Sequence, residues 1–484
     1  MKFIIKLAPE VTIKSKPVRK RFTQQLRQNI RNILQKIDTN VAVSGVWDNL
    51  FVQPSSQASQ YQCDAIAESL ACTPGIAHIL QVESFQLQSL EDIFLKAKDL
   101  YREELKGKTF SVRVKRVGKH DFTSLDVERY VGGGLNQHTE AKGVKLNDPD
   151  IVIKIEIRDQ DLFLVTRRIN GLRGFPIGTQ ETTLTLLSGG FDSGVAAYQI
   201  MKRGIRTHFL FFNLGGSAHE NGVKQVAEYI WRKFGSSHRV LFIAVPFEGV
   251  VAEILTKVDN SHMGVILKRM MYRAADQVAE RFNLESFVTG EAIAQVSSQT
   301  MINLKVIEEV TDKLVFRPLV VSDKQEIIDQ ARRIGTAGFA ETMPEYCGVI
   351  SRKPTTRARL EKVLAEEQKF DFAVLDAALK NTVVRNIDEL YVTNANDYKV
   401  PYRSNLSDDD ILIDIRHPDE IDLKAPPKAI NTLEIPFYRL RQAYPELDQS
   451  KSYVLYCDKG VMSKMQVLYL REQGFENVSV YGEG

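Results

Sequence analysis

The sequence predicts a multidomain chain of mixed class: α+β through its first third, then α/β with parallel sheets in its centre and again at its C-terminus. Three observations predict it. A length of 484 residues exceeds what one hydrophobic core organises. The centre alternates apolar runs, "THFLFFNLG", "RVLFIAVPF" and "SFVTGEAIA", with helical patterns, as a parallel sheet requires. Near the C-terminus the run Tyr453 to Tyr456 closes on Cys457 and a short loop, after which Met462, Met465, Leu468 and Tyr469 recur at helical spacing up to Gly474.

Composition removes several classes. The opening "MKFIIKLAPE" is broken by Lys6 and no later run approaches spanning length, so no membrane role and a cytoplasmic location are expected. Four cysteines, Cys63, Cys72, Cys347 and Cys457, contain no C-x-x-C pair. A disulfide framework or a cysteine-built zinc or iron–sulfur site is therefore not expected, and any thiol chemistry belongs to single cysteines. Repeats and low-complexity tracts are absent, which excludes a solenoid.

Charge is distributed unevenly although the net is only +3. Residues 1–36 hold ten Lys or Arg against Glu10 alone, and the last segment opens on the acidic run Asp408 to Asp410. One end suits a polyanion and the other repels it. In "KTFSVRVKRVGKHDF", Phe110, Val112, Val114 and Val117 roughly alternate with Arg113, Lys115, Arg116 and Lys119, a half-buried strand with a cationic outer face. "VGGGLNQ" reads as a flexible turn, and Ile151, Ile153, Ile155 and Ile157 alternate with Lys154, Glu156 and Arg158 in the strand after it. The order of these parts resembles the THUMP domain, an RNA-binding module of tRNA-modifying enzymes.

The central "TLTLLSGGFDSGVAAYQIMKRG" reads as strand, glycine loop and helix, with Val195, Tyr198 and Met201 inward and a stop near Gly204. Exposed N–H groups at such a strand's carboxyl end can hold phosphate oxygens. No lysine follows the glycines as a Walker A loop needs, so γ-phosphate transfer is not supported. "SGGFDS" instead resembles the pyrophosphatase (PP) loop of enzymes that split ATP between its α and β phosphates. In that reading Ser188, Gly189, Gly190 and Ser193 cradle pyrophosphate, and Asp192 holds Mg²⁺ or orients the nucleotide. Further on, "VVSDKQEII" suggests Ser322 as N-cap with Gln325 completing a capping box, which puts Lys324 in a helix's first turn.

Cys457 sits where a strand turns into a helix, so N–H groups face whatever its sulfur carries. Its loop resembles the active-site loop of rhodaneses, which carry sulfur as a cysteine persulfide. "ILIDIRHPDE" resembles the D-x-R signature of those domains, and "GFENVSVYGEG" their last helix–strand step. Phosphatase chemistry would need Cys-x5-Arg, and Ser463 stands at that place.

Together these parts resemble the tRNA uridine 4-sulfurtransferase (4-thiouridine synthase) family, in its long form that is also linked to thiamine thiazole synthesis. The resemblance implies an N-terminal ferredoxin-like domain (1–60), a THUMP domain (61–166), a PP-loop adenylation domain (176–395) and a rhodanese domain (404–484). It implies ATP and Mg²⁺ as cofactors, with tRNA, a cysteine desulfurase and a thiamine sulfur-carrier protein as partners. For the nucleotide it adds Leu186 and Leu187 under the loop, Lys268, Gly290 and Gln299. It assigns catalysis to Asp192 and Lys324, the persulfide to Cys457 and a disulfide-forming role to Cys347, and Cys63 and Cys72 are read as structural. Two other classes fit parts of the pattern: a PP-loop synthetase acting on a small molecule, and a non-catalytic persulfide carrier.

Overall fold

The structure is a computed structural model that describes residues 1–46, 49–214, 216–342, 354–390, 400–416, 421, 424–429, 431–458 and 460–482. The chain divides into two units, Met1–Pro176 and Ile177–Gly484.

The first unit is built on one eight-stranded sheet of order β2-β3-β1-β4-β8-β7-β5-β6. Its strands are β1 (Lys2–Leu7), β2 (Ala42–Val46), β3 (Asn49–Gln53), β4 (Ile76–Gln86), β5 (Thr109–Val117), β6 (Gly143–Val144), β7 (Ile151–Arg158) and β8 (Asp161–Asn170). Five helices, α1 (Pro9–Thr12), α2 (Lys16–Leu34), α3 (Gln60–Ala71), α4 (Leu90–Tyr101) and α5 (Ser124–His138), supply its apolar cover. Alternation decides which residues go inward. Phe3, Ile5 and Leu7 of β1 pack with Phe22, Leu26 and Ile30 of α2, spaced for one helical face. Ile66 and Leu70 of α3 and Ile76 and Ile79 of β4 join the same core. The boundary drawn at residue 60 thus falls just ahead of a helix that packs into this core. A second core gathers Phe94, Phe110, Val112, Val131, Ile153, Ile155 and Ile157. The two cores share one sheet because β4 runs antiparallel to β8 from His78↔Asn170 to Gln86↔Asp161.

One sequence expectation fails here. "VGGGLNQ" is the interior of α5 rather than a turn. Val127, Val131 and Leu135 keep helical spacing across it, and a capping box between Thr123 and Asp126 starts the helix, which outweighs the roughly 1 kcal/mol that each helical glycine costs. Gly134 is small for a packing reason, since a Cβ there would lie 2.6 Å from the Phe94 ring on α4.

Basic side chains line the surface of this unit. Lys14, Lys16, Lys20 and Arg21 around the start of α2 are exposed, as are Arg113 and Lys115 on β5 and Arg167 and Arg168 on β8. Val117, expected inward, shares the outer phase of Arg113 and Lys115 and is 55% exposed.

The second unit holds two sheets. The first has order β13-β12-β9-β10-β11-β14, from β9 (Thr183–Leu186), β10 (Thr207–Asn213), β11 (Leu241–Pro246), β12 (Ser286–Val288), β13 (Leu314–Phe316) and β14 (Val383–Asn386). All neighbours are parallel except β14 on β11. The chain leaves β9 toward β10 and β11, then returns to β9's other side for β12. The order therefore reverses at β9, and a crevice opens at the carboxyl ends of β9 and β12.

The second sheet is fully parallel, β15-β19-β18-β16-β17, from β15 (Tyr402–Arg403), β16 (Asp410–Asp414), β17 (Asn431–Glu434), β18 (Ser452–Tyr456) and β19 (Val478–Tyr481). Its order reverses between β16 and β18, so its crevice lies at the ends of those strands. The acidic run before it is not all surface: Asp410 is buried, accepting from Arg403 Nη1 (2.7 Å) and the Ser407 hydroxyl (2.7 Å).

Candidate functional site

Each crevice collects side chains that the sequence singles out. At the first, β9 delivers Leu186, part-buried, and Leu187, buried, whose N–H donates to the Leu210 carbonyl (2.8 Å). Gly189 then takes φ 85°, a left-handed conformation open to glycine at little cost. Gly190 is the N-cap of α6 (Phe191–Lys202), and no side chain caps that helix. Ser193 closes the loop on itself: its hydroxyl accepts from the Ser188 N–H (3.2 Å) and meets Ser188 Oγ (3.2 Å). The loop leaves N–H groups at a helix start without a side-chain acceptor, the arrangement that takes phosphate oxygens.

Strand β12 brings the next segment against this loop. A Cβ on Gly290 would lie 2.7 Å from Asp192 C and 2.8 Å from Ser193 N. What needs the missing side chain at Gly290 is therefore the first turn of α6, packed backbone to backbone. Beyond β13, Lys324 opens α7 (Lys324–Ile334). The N-cap is Asp323 rather than Ser322, and Glu326 rather than Gln325 completes the capping box. A carboxylate is the stronger acceptor for the N3 N–H, and Gln325 instead donates to Asp329 (2.8 Å). Lys324 keeps its first-turn place, and its ammonium pairs with Asp192 Oδ1 (2.9 Å) and Oδ2 (3.2 Å). Three neighbouring strand ends thus converge on Asp192.

Lys268, on the helix Met263–Arg281, faces Glu291, with Nζ 3.8 Å from Oε1. Glu291 is buried, and its Oε2 accepts from Tyr272 Oη (2.6 Å), Thr289 Oγ1 (3.0 Å) and Arg317 Nε (3.0 Å). Burial works to raise its carboxyl pKa, but the Lys268 charge, the Tyr272 hydroxyl and Arg317 outweigh that and hold it below the ordinary value. Gln299 is buried in a 3₁₀ turn, Ser297–Gln299, and its Oε1 has no hydrogen-bond partner among the described residues. Sequence reading passed over Glu291, Gln295, Tyr272 and Arg317. The available signal was Glu291 itself, a charged residue inside an otherwise apolar strand exit.

At the second crevice, Cys457 follows β18, and its Sγ accepts from the Ser463 N–H (3.3 Å) in the first turn of the helix Val461–Glu472. Gly460, at φ 67°, makes the tight return. A cavity of about 650 Å³ opens over the sulfur, with Lys424, Lys464, Tyr402 and Tyr481 in its lining. Asp458 accepts from Tyr456 Oη (2.7 Å) and Lys424 Nζ (3.2 Å). Beneath it Asp414 and Arg416, from the end of β16, form a buried pair (2.5 Å). The thiol is half-buried within a polar, cation-bearing hollow. Cys63, by contrast, is buried in α3, and burial pushes its thiol pKa up, as suits an inert core cysteine. Cys72 caps the end of α3. Cys347 lies outside the described residues.

Family models match four successive stretches: a ThiI ferredoxin-like domain over 2–79, a THUMP domain over 88–167, the thiamine biosynthesis protein (ThiI) over 178–372, and a rhodanese-like domain over 401–484. Among solved structures, a crystal structure of a 4-thiouridine synthetase–RNA complex with bound ATP matches with a TM-score of 0.70 and 25% identity, covering 80% of this chain and 99% of that one. The tRNA sulfurtransferase of Shewanella loihica is 53% identical over 99% of both chains. That of Tolumonas auensis is 54% identical, again over 99% of both, and the chain belongs to the tRNA sulfurtransferase family.

Proposed function

We propose that the chain adenylates uridine 8 of tRNA with ATP and replaces its O4 with sulfur carried as a persulfide on Cys457, giving 4-thiouridine. The observation that carries this reading is the convergence of a glycine loop, Asp192 and Lys324 at adjoining strand ends. The persulfide step has its own support, a thiol at the equivalent point of a second parallel sheet.

Ser188, Gly189, Gly190 and Ser193 hold the β and γ phosphates through loop and helix N–H groups. Lys324 and Lys268 supply positive charge, and Leu186 and Leu187 fix the loop from below. The uridine O4 attacks the α-phosphorus, and the bond to the bridging oxygen breaks to release pyrophosphate. At the loop the described residues offer Asp192 as carboxylate, and no group of three or more His, Cys, Asp or Glu lies among them. That donor set fits Mg²⁺, which takes most of its ligands from phosphates and water. Asp192 would hold the ion, which supplies charge to offset that building on the leaving group.

A cysteine desulfurase loads the outer sulfur on Cys457. This sulfur attacks C4 of the adenylated base, and AMP leaves. Cys347 then attacks Cys457 Sγ, releasing the thionucleoside and leaving a Cys347–Cys457 disulfide that a reductant reopens. The same persulfide can pass to a thiamine sulfur-carrier protein. The work is cytoplasmic, where ATP, tRNA and reductant meet. The test is pyrophosphate release with and without tRNA, joined to thionucleoside analysis of tRNA from cells lacking the protein. Release indifferent to tRNA, or 4-thiouridine persisting in those cells, would remove the proposal.

A further inference from the structure

The segment leaving β12 is tightly folded. Ala294 donates its N–H to the Gln299 carbonyl (3.0 Å), Gln295 donates to the Ala292 carbonyl (3.4 Å), and Ala294 takes φ 62°. A side chain in that left-handed region is sparsely populated, so the surrounding bonds impose it. The fold aims Gln295 at α6, where its Nε2 donates to Asp192 Oδ2 (2.8 Å). The opposite amide orientation would set an oxygen against the carboxylate, so this bond fixes the side chain. Its Oε1 is buried and has no hydrogen-bond partner among the described residues. A glutamine kept for stability alone would have that oxygen satisfied.

Asp192 therefore has two holders of different kind. Lys324 is charged, on a side chain 44% exposed, and an arriving polyphosphate outcompetes one carboxylate for its ammonium. Gln295 is neutral, so a polyphosphate has no charge to draw it away. We propose that Gln295 is a positioning residue for adenylation, keeping the Asp192 carboxylate aimed after Lys324 has moved to the phosphates of ATP. The inference rests on the nucleotide reading of the loop given above.

The experiment is tRNA-dependent pyrophosphate release by the full chain, with Gln295→Ala, Gln295→Glu, Asp192→Asn and the double variant Asp192→Asn/Gln295→Ala. Gln295→Ala should lower kcat about 10-fold while KM for ATP, tRNA affinity and melting temperature hold, because aim is lost rather than binding. Gln295→Glu should lower kcat about 100-fold, since it sets two carboxylates in contact. In the Asp192→Asn background Gln295→Ala should cost less than about 2-fold more, the signature of two residues acting as one. A wild-type rate for Gln295→Ala, a loss that multiplies with Asp192→Asn, or a loss confined to KM or melting temperature would overturn the assignment. If Asp192→Asn itself releases pyrophosphate normally, the reading of the loop fails, whatever Gln295 does.

Discussion

Lys324 Nζ lies 2.9 Å from Asp192 Oδ1, although 132 residues separate the two. The pair joins the start of α7 to the first turn of α6, which also pack against each other. Both side chains are partly exposed, at 44% and 24%, so as a surface ion pair it contributes at most about 1 kcal/mol to stability. Under the proposed function its weight falls on chemistry. Lys324→Met should lower tRNA-dependent pyrophosphate release by about 100-fold and leave the melting temperature within a few degrees. A rate close to wild type would remove Lys324 from the mechanism.

The two thiols separate by readout. Cys457→Ala should abolish acceptance of labelled sulfur from a desulfurase and all tRNA thiolation, while pyrophosphate release continues because that chemistry sits on another sheet. Cys347→Ala should still accept sulfur and should fail in turnover, with no Cys347–Cys457 disulfide in mass spectra after one cycle without reductant. Label on Cys347 and none on Cys457 would exchange the roles.

If the exposed cations on α2, β5 and β8 hold tRNA, its affinity is a matter of phosphate contacts. Affinity should fall steeply and log-linearly with salt, by about 10³-fold or more between 50 and 200 mM if six or more phosphates are engaged. Removing residues 1–176 should abolish binding measured by filter retention. Tight binding by the remaining 177–484 fragment would place the RNA site elsewhere.

His208 gives the second unit an acid limit. It is buried in β10, its Nδ1 accepts the Leu241 N–H (3.0 Å), and burial, then Arg206, lowers its pKa to about 4. The folded group stays neutral where the unfolded one, near 6.5, takes a proton. Its contribution is present above pH 6.5 and is lost as pH falls toward 4, on the order of 3 kcal/mol in all. Urea unfolding from pH 7 to 4 should show this loss, and His208→Gln should flatten it. An unchanged slope in that variant would assign the loss to other groups.

Much of this was legible because local pattern and tertiary use agree. "TLTLLSGGFDS" needs its strand, its left-handed Gly189 and its helix start within one stretch of chain, and "YCDKG" likewise places its thiol by neighbours alone. Expectation failed where a distant partner sets the outcome. The glycines of α5 read as a turn because nothing nearby reveals Phe94 closing on Gly134. Asp323 and Ser322 are equally good caps on paper, and the bond from Glu326 decides between them. Glu291 and Gln295 become visible only when β12 lies beside β9, which brings residues about a hundred positions apart into contact.

The place of β4 between β1 and β8 also governs how this protein can be cut. Any fragment that starts after β1 to β3 leaves the eleven-residue β4 with a bare flank of N–H and C=O groups, a template for strand capture between molecules. Proteolytic trimming of the N-terminus should therefore yield aggregates rather than a smaller soluble module, and in a cell such a product would be a substrate for quality control.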